Sequence, residues 1–329
     1  MKKSLFYILA LLATTAFGAC KSTGNAGGAA DGADSVNVPS FSADSALASI
    51  NAQCAFGERV LGTAAHENCA QYIISAFEAQ GCEVQRQDAE FRIYDGRKYK
   101  GCNIIASTNP AATDRILVCS HWDSRPWADN DPNPANHHKP VMAANDGASG
   151  IGVMIELARQ IKLQQPNVGV DFVCFDAEDY GVPDWEEHFD GDEEATWCLG
   201  ARHWAQHPHR TDFRFGILLD MVGGKGATFC KEQYSMHYAG SVVAQVWDAA
   251  AAAGYAAQFP DKQGGAITDD HLPLNQIAGI RTIDIIPYYP NAESAFGPTW
   301  HTVSDTPANI STSTLQAVGQ TLMQLIYTW

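Results

Sequence analysis

Val168-Gly169-Val170-Asp171-Phe172-Val173-Cys174-Phe175-Asp176-Ala177-Glu178-Asp179 decides the fold. Eight residues of almost unbroken apolar character predict a strand buried on both faces, which belongs in the middle of a covered sheet. The run then turns polar at once, leaving Asp176, Glu178 and Asp179 where the strand ends. In open α/β sheets that carboxyl end is where ligands and catalysis collect.

Four more fragments repeat the pattern: Ser120-His121-Trp122-Asp123, Ala144-Asn145-Asp146-Gly147, Leu219-Asp220-Met221 and Trp300-His301-Thr302. Most of them follow an apolar, β-rich run. The periodicity predicts strands over 84–94, 99–107, 115–120, 213–221 and 281–286. Helices are predicted over 68–80, 150–163, 240–253 and 314–328. Asp95-Gly96 between the first two strands reads as a hairpin turn. Strands alternating with helices make an α/β protein with a central mixed, mostly parallel sheet flanked by helices. Polar loops at 124–140 and 180–196 exceed ordinary connection lengths, and both follow strand ends that carry the polar fragments, so they read as rims of an active site.

With 329 residues, 46% of them hydrophobic, the chain can bury a sizeable core. A formal charge of −16 argues against nucleic acid or an anionic membrane surface as partner and favours cationic groups such as a free α-amine. Lys2 and Lys3 precede an apolar stretch over 5–17, so residues 1–19 read as an export signal. Phe17-Gly18-Ala19-Cys20 resembles a lipobox, making Cys20 a candidate lipid anchor of a periplasmic lipoprotein. Residues 20–40 read as a flexible tether, rich in Gly, Ala, Ser and Asp, and 41–329 as one catalytic domain. Of the other cysteines, Cys119 and Cys174 sit in strand-like runs as buried thiols. Cys54, Cys69, Cys82, Cys102, Cys198 and Cys230 are free to pair in an oxidising compartment, with no connectivity dictated by spacing.

Zinc takes imidazole nitrogen and carboxylate oxygen, and a catalytic site keeps a position open. Asp146, Asp179 and His301 supply three such ligands from three loops. His121 and Asp220 serve as further ligands or as their partners, and Asp123 suits orienting an imidazole. Each fragment also has a plainer reading: Asn145-Asp146-Gly147 as a turn with a helix cap, Glu178-Asp179 as a solvated loop, Trp300-His301 as surface packing. All must hold together for the site to vanish. His137 and His138 read as bystanders, and the acidic run 190–194 as a solvated face or a weak calcium site.

Taken in order, His121-x-Asp123, Asn145-Asp146-Gly147, Glu178-Asp179, Asp220, Asp269-Asp270-His271 and His301-Thr302 resemble the zinc-dependent aminopeptidase family over about 110–329. Trp300 before the histidine and the Asp269-Asp270-His271 triplet are similar to its glutaminyl-peptide cyclotransferase (glutaminyl cyclase) branch, an acyltransferase class. The resemblance implies the zinc-exopeptidase-like α/β/α sandwich, with one zinc in the cyclases and two in the peptidases. It implies Asp146, Asp179 and His301 as zinc ligands, Glu178 as general acid–base, and Asp220 and Asp269 as its partners. It implies Trp300 as a pocket wall, a second tryptophan from Trp185 or Trp197, and His121 beside the metal. The implied substrates are peptides and exported proteins with N-terminal glutamine. The rival readings are a di-zinc aminopeptidase, with His121 and Asp220 on a second zinc, and a non-catalytic peptide-binding lipoprotein. Two departures stand out: Asp179 where the family often has Glu, and Asp284 where animal cyclases have histidine.

Overall fold

Each central strand sorts its side chains into two opposite cores. In β3 (Arg115–His121), Ile116 and Val118 join one cluster while Leu117 and Cys119 join the other. In β4 (Gly169–Phe175), Phe172 and Cys174 part from Val173 and Phe175 in the same way. This alternation is the period of two that a strand imposes, and it places a hydrophobic layer on each face. The larger layer holds α1 (Ala43–Cys54), α2 (Ala64–Ala79), α3 (Ala148–Leu163), α5 (Gln233–Ala252) and α7 (Thr312–Thr328). The smaller layer includes Ala201 and Trp204 of α4 (Leu199–Gln206) and Leu274 of α6 (His271–Gln276).

The sheet is completed by β1 (Glu83–Arg92), β2 (Lys98–Ser107), β5 (Gly216–Leu219) and β6 (Thr282–Ile285), in the order β1-β2-β4-β3-β5-β6. β1, β2 and β4 pair antiparallel, whereas β4, β3, β5 and β6 run parallel. The parallel four are buried along their whole length, and edge strand β1 is mostly exposed. The expected mixed, mostly parallel sheet between helices is the observed one.

From β3 the chain crosses to β4 on one side and then returns to β5 on the other. The strand order thus reverses between β3 and β5, and a crevice opens there at the carboxyl ends. His121 closes β3 and Asp220 follows β5 across that crevice, His121 Nε2 lying 3.1 Å from Asp220 Oδ1.

This computed structural model describes residues 36–290, 292 and 294–329, and Val36–Trp329 forms one compact unit. The export signal 1–19, Cys20 and the tether up to residue 35 lie outside the described residues. Within 36–40, Asn37 and Pro39 already bond to Gln164 and Gln320, and Phe41 is buried against α7. Three helices escaped the periodicity reading. The buried face of α1 (Ala43, Ala46, Ser49, Ile50, Gln53 and Cys54) is small or polar apart from Ile50, which gives little contrast, while α4 and α6 are only 8 and 6 residues long. The predicted start of the fifth helix at 240 coincides with a break, since Ala239 (φ −142°, ψ 36°) interrupts α5. All eight cysteines of the described residues are buried and unpaired.

Candidate metal centre and catalytic cleft

Two carboxylates hold the loops that carry the candidate ligands, and they do so through backbone amides. Asp123 accepts from Glu178 N on Oδ1 (3.1 Å) and from Asp179 N on Oδ2 (3.2 Å). Asp305 accepts from Asn145 N (2.8 Å) and Asp146 N (3.0 Å) in the same forked manner. Arg59, fully buried, donates to the carbonyls of Trp122 (3.0 Å), Met142 (2.6 Å) and Ala143 (2.7 Å), stapling the first two loops together. The loops around the site also carry unfavourable backbone. Ala143, Ala177, Met221 and His301 all have φ between 53° and 55°, the left-handed region that costs non-glycine residues energy and collects at functional sites.

Gly147 caps α3 at φ +105°, and a Cβ there would stand 2.5 Å from His121 O and 2.8 Å from its ring. Gly147→Ala is therefore expected to lower stability by about 1–3 kcal/mol from the backbone alone. A fall in both the unfolding midpoint and zinc affinity would show it, and an unchanged midpoint would refute the close approach.

Asp146, Asp179 and His301 bring one ligand atom each within 4.8 Å of one another, all three buried. His301 Nε2 is 3.0 Å from Asp179 Oδ1 and 3.7 Å from Asp146 Oδ2. Yet neither Asp179 oxygen has a hydrogen bond of acceptable geometry, nor does His301 Nδ1. Buried polar atoms are almost always bonded, so the two unbonded Asp179 oxygens beside His301 Nε2 and Asp146 Oδ2 leave an N, O and O donor set that fits a zinc ion, while His301 Nδ1 faces Asp129 at 3.6 Å. Burial works to raise the Asp179 pKa, but His301 and Arg125 hold it down at about 2, keeping a carboxylate ready.

A second set, His121, Asp146 and Asp220, also lies within 4.8 Å. Here the imidazole is engaged on both nitrogens: Nδ1 with Asp123 (3.3 Å), Nε2 with Asp146 (3.0 Å) and Asp220 (3.1 Å). Burial disfavours its charge, but these carboxylates outweigh burial and push the His121 pKa well up.

The first set opens onto a cavity of about 270 Å³, lined also by Trp197, Phe296, Trp300, Glu178, Asp220 and Asp269. Burial, then the Asp179 charge, raises the Glu178 pKa well above the usual carboxylate range. Asp269 is raised likewise by burial and by Asp220, and Asp284 by burial and by Asp269. A buried carboxyl that keeps its proton can donate a hydrogen bond, the capacity a histidine would bring at position 284.

Residues 103–326 match peptidase family M28. The chain belongs to peptidase family M28. Among solved structures it resembles the Bacteroides thetaiotaomicron glutaminyl cyclase bound to N-acetylhistamine, with 48% identity and a TM-score of 0.86. That alignment covers 89% of this chain and 100% of that one. It also resembles a leucine aminopeptidase precursor from the same organism, at 47% identity and a TM-score of 0.85, covering 89% and 99%. Aminopeptidase YwaD of Bacillus subtilis is 26% identical over 256 residues, 74% of this chain and 48% of that protein. The chain thus spans about half the length of that relative.

In this M28 chain nine of the sequence-derived site residues meet at the crevice: Asp146, Glu178, Asp179, Trp197, Asp220, Asp269, Trp300 and His301 line the cavity, and His121 is buried against Asp146 and Asp220 rather than lining it. Trp185 does not join them; its ring packs on Trp127 (5.9 Å) and His138 (4.4 Å). Of the two tryptophans left open, Trp197 is the one at the cavity. Gly181 makes room for it, since a Cβ there would overlap the indole, and the Arg125 guanidinium stacks at 4.7 Å. The run 190–194 is exposed and joins none of the metal-holding groups among the described residues. Sequence reading missed Asp305, Arg59 and Arg125, whose signal is burial, and a lone charged residue in a loop does not advertise burial.

Proposed function

We propose that this M28 chain cyclises N-terminal glutamine of peptides and exported proteins to pyroglutamate, releasing ammonia. The observation that carries the reading is the saturated His121: its two nitrogens are engaged by three carboxylates, whereas neither Asp179 oxygen, with Oδ1 3.0 Å from His301 Nε2, is hydrogen-bonded. That asymmetry supports one zinc, held by Asp146, Asp179 and His301. The likeness to the Bacteroides glutaminyl cyclase over its full length supports the same reaction.

Zinc bound there supplies a Lewis acid that polarises the substrate's γ-carbonyl. The rest falls to the chain itself. Glu178 takes a proton from the α-amine as its nitrogen attacks the side-chain amide carbon. It returns that proton to the departing nitrogen, which leaves as ammonia, and Glu178 ends as it began. Asp220 and Asp269 line the cavity with Glu178 and fix its setting. Because nucleophile and electrophile belong to one residue, holding them close supplies much of the acceleration. Trp300 and Trp197 keep water from competing with the amine.

A second reading, a two-metal aminopeptidase, draws on the His121, Asp146 and Asp220 group and on the aminopeptidase precursor named above. Offering an N-terminal glutamine peptide beside an N-terminal leucine peptide separates them. Mass spectrometry is expected to show one ammonia lost from the first and no change in the second; release of a free amino acid would favour the peptidase. Trp300→Ala is expected to cut kcat/KM about a hundredfold by loosening the bound geometry, with little change in the unfolding midpoint. Unchanged kinetics would leave Trp300 as packing alone.

The reading extends to place: an exported lipoprotein of the periplasm, anchored at Cys20, with 41–329 as its catalytic domain. Labelling with a lipid precursor, lost on Cys20→Ser, tests it.

A further inference from the structure

Cys198 is the one cysteine of the described residues that shares a metal-holding group. Glu178, Cys198 and Asp269 each place a ligand atom within 4.8 Å of the other two. Cys198 Sγ lies 3.4 Å from Glu178 Oε1, and its backbone N–H donates to Glu178 O at 2.9 Å. These contacts hold the thiol at φ 59°, in front of α4. The thiol–carboxylate hydrogen bond accounts for Cys198 and Glu178 but not for Asp269. Asp269 is 4% exposed; its Oδ1 accepts from Asp270 N, while Oδ2 has no hydrogen bond of acceptable geometry, although the Asp284 carboxyl lies close by. A buried acceptor without a donor is what a cation satisfies. Three segments converge here, from the end of β4, the start of α4 and the loop before α6. Two of them, through Glu178 and Asp269, open onto the cavity.

We propose that Glu178, Cys198 and Asp269 form an inhibitory site for a thiophilic divalent cation of the zinc and cadmium class, separate from Asp146, Asp179 and His301. Sulfur with two carboxylate oxygens suits such ions and disfavours magnesium or calcium. Binding forms one metal–sulfur and two metal–oxygen bonds and breaks the S–H bond, that proton and any carried by the Glu178 and Asp269 carboxyls leaving to solvent. Competition with these protons makes the site weaker than the first one, so it fills only in excess metal. Once filled, it occupies the oxygen with which Glu178 would take the amine proton. This inhibitory half rests on the role proposed for Glu178; the binding half does not.

The test titrates the zinc-loaded enzyme with cadmium chloride, following bound zinc, the ultraviolet sulfur-to-cadmium charge-transfer band and glutamine cyclisation together. One equivalent of cadmium is expected to raise the band and abolish turnover while zinc stays, and a mild chelator to reverse both. Cys198→Ser keeps a donor for Glu178 but no soft ligand. It is expected to lose the band and to need at least about tenfold more cadmium for half inhibition of its own uninhibited rate. X-ray absorption at the cadmium edge of the unmodified enzyme gives a reading independent of the variant's folding, with one sulfur neighbour expected. No band, or cadmium with only oxygen and nitrogen neighbours, overturns the site and leaves the proposed reaction standing. A band that survives Cys198→Ser also overturns it. Full cyclase activity at saturation of the band overturns the inhibitory half and removes Glu178 as proton carrier.

Discussion

Glu178→Gln is expected to lower kcat by about a hundredfold to ten-thousandfold, the range general acid–base catalysis supplies, with zinc still bound. Glutamine keeps the size and one acceptor oxygen of Glu178 but cannot carry a proton in both directions. Metal analysis of the variant separates the two functions: zinc retained with activity gone is the expected result, and near-normal turnover would remove Glu178 from the reaction. The same variant is expected to be more stable than its parent in the zinc-free form. The folded-state pKa of Glu178 is raised by burial and by Asp179, so the folded chain holds its proton more tightly than the unfolded chain does. The parent's stability from this group is complete below the ordinary glutamate pKa and is lost as pH rises through the folded value. The variant, having nothing to ionise, keeps its stability over that window. Unfolding midpoints of both forms should therefore diverge from about pH 4 upward, and parallel curves would refute the raised pKa.

His301→Ala is expected to abolish both metal binding and turnover. His301 is the single nitrogen donor of its set, and its ring is stacked on Trp300 at 3.8 Å. Removing it leaves Asp146 and Asp179 facing each other across an empty space. Zinc bound to the parent would stabilise the fold by mass action, roughly 4 kcal/mol at a thousandfold excess over Kd. Chelation should therefore lower the parent's unfolding midpoint and leave that of His301→Ala unmoved. A variant that keeps its zinc would transfer the ligand role elsewhere, with His121 the first candidate.

Much of this architecture could be read from patterns that repeat. The apolar runs ending in His121, Asp176 and Asp220 foretold β3, β4 and β5 and the crevice at their ends, because a strand buried on both faces has an unmistakable composition. Ligand chemistry and the order of the motifs then grouped Asp146, Asp179 and His301, with His121 and Asp220 beside them. The features that escaped were those without periodicity. Nothing near Asp305 distinguishes it from a surface aspartate, and Arg59 lies far in sequence from the loops it staples. Trp185 and Trp197 could not be separated because the choice depends on how a long loop folds back. The absence of a side chain at Gly181 settles it, and that becomes informative only once the indole is seen lying there. The small and polar buried face of α1 shows the same limit for helices, since apolar periodicity needs bulky residues to be visible.

The amide forks of Asp123 and Asp305 carry one more implication. Because both loops are fixed by their main chain, the side chains at 146, 178 and 179 are not what sets the backbone there, whereas Asn145 Oδ1 still accepts from Gly223 N at 2.8 Å. The fold therefore behaves as a chassis with interchangeable fittings, in which a ligand one methylene shorter, such as Asp179, can be installed without rebuilding its mount. Changes of metal preference or of chemistry are accordingly within reach of single substitutions at 146, 178 and 179, whereas exchanging either aspartate of the forks would dismantle the frame itself.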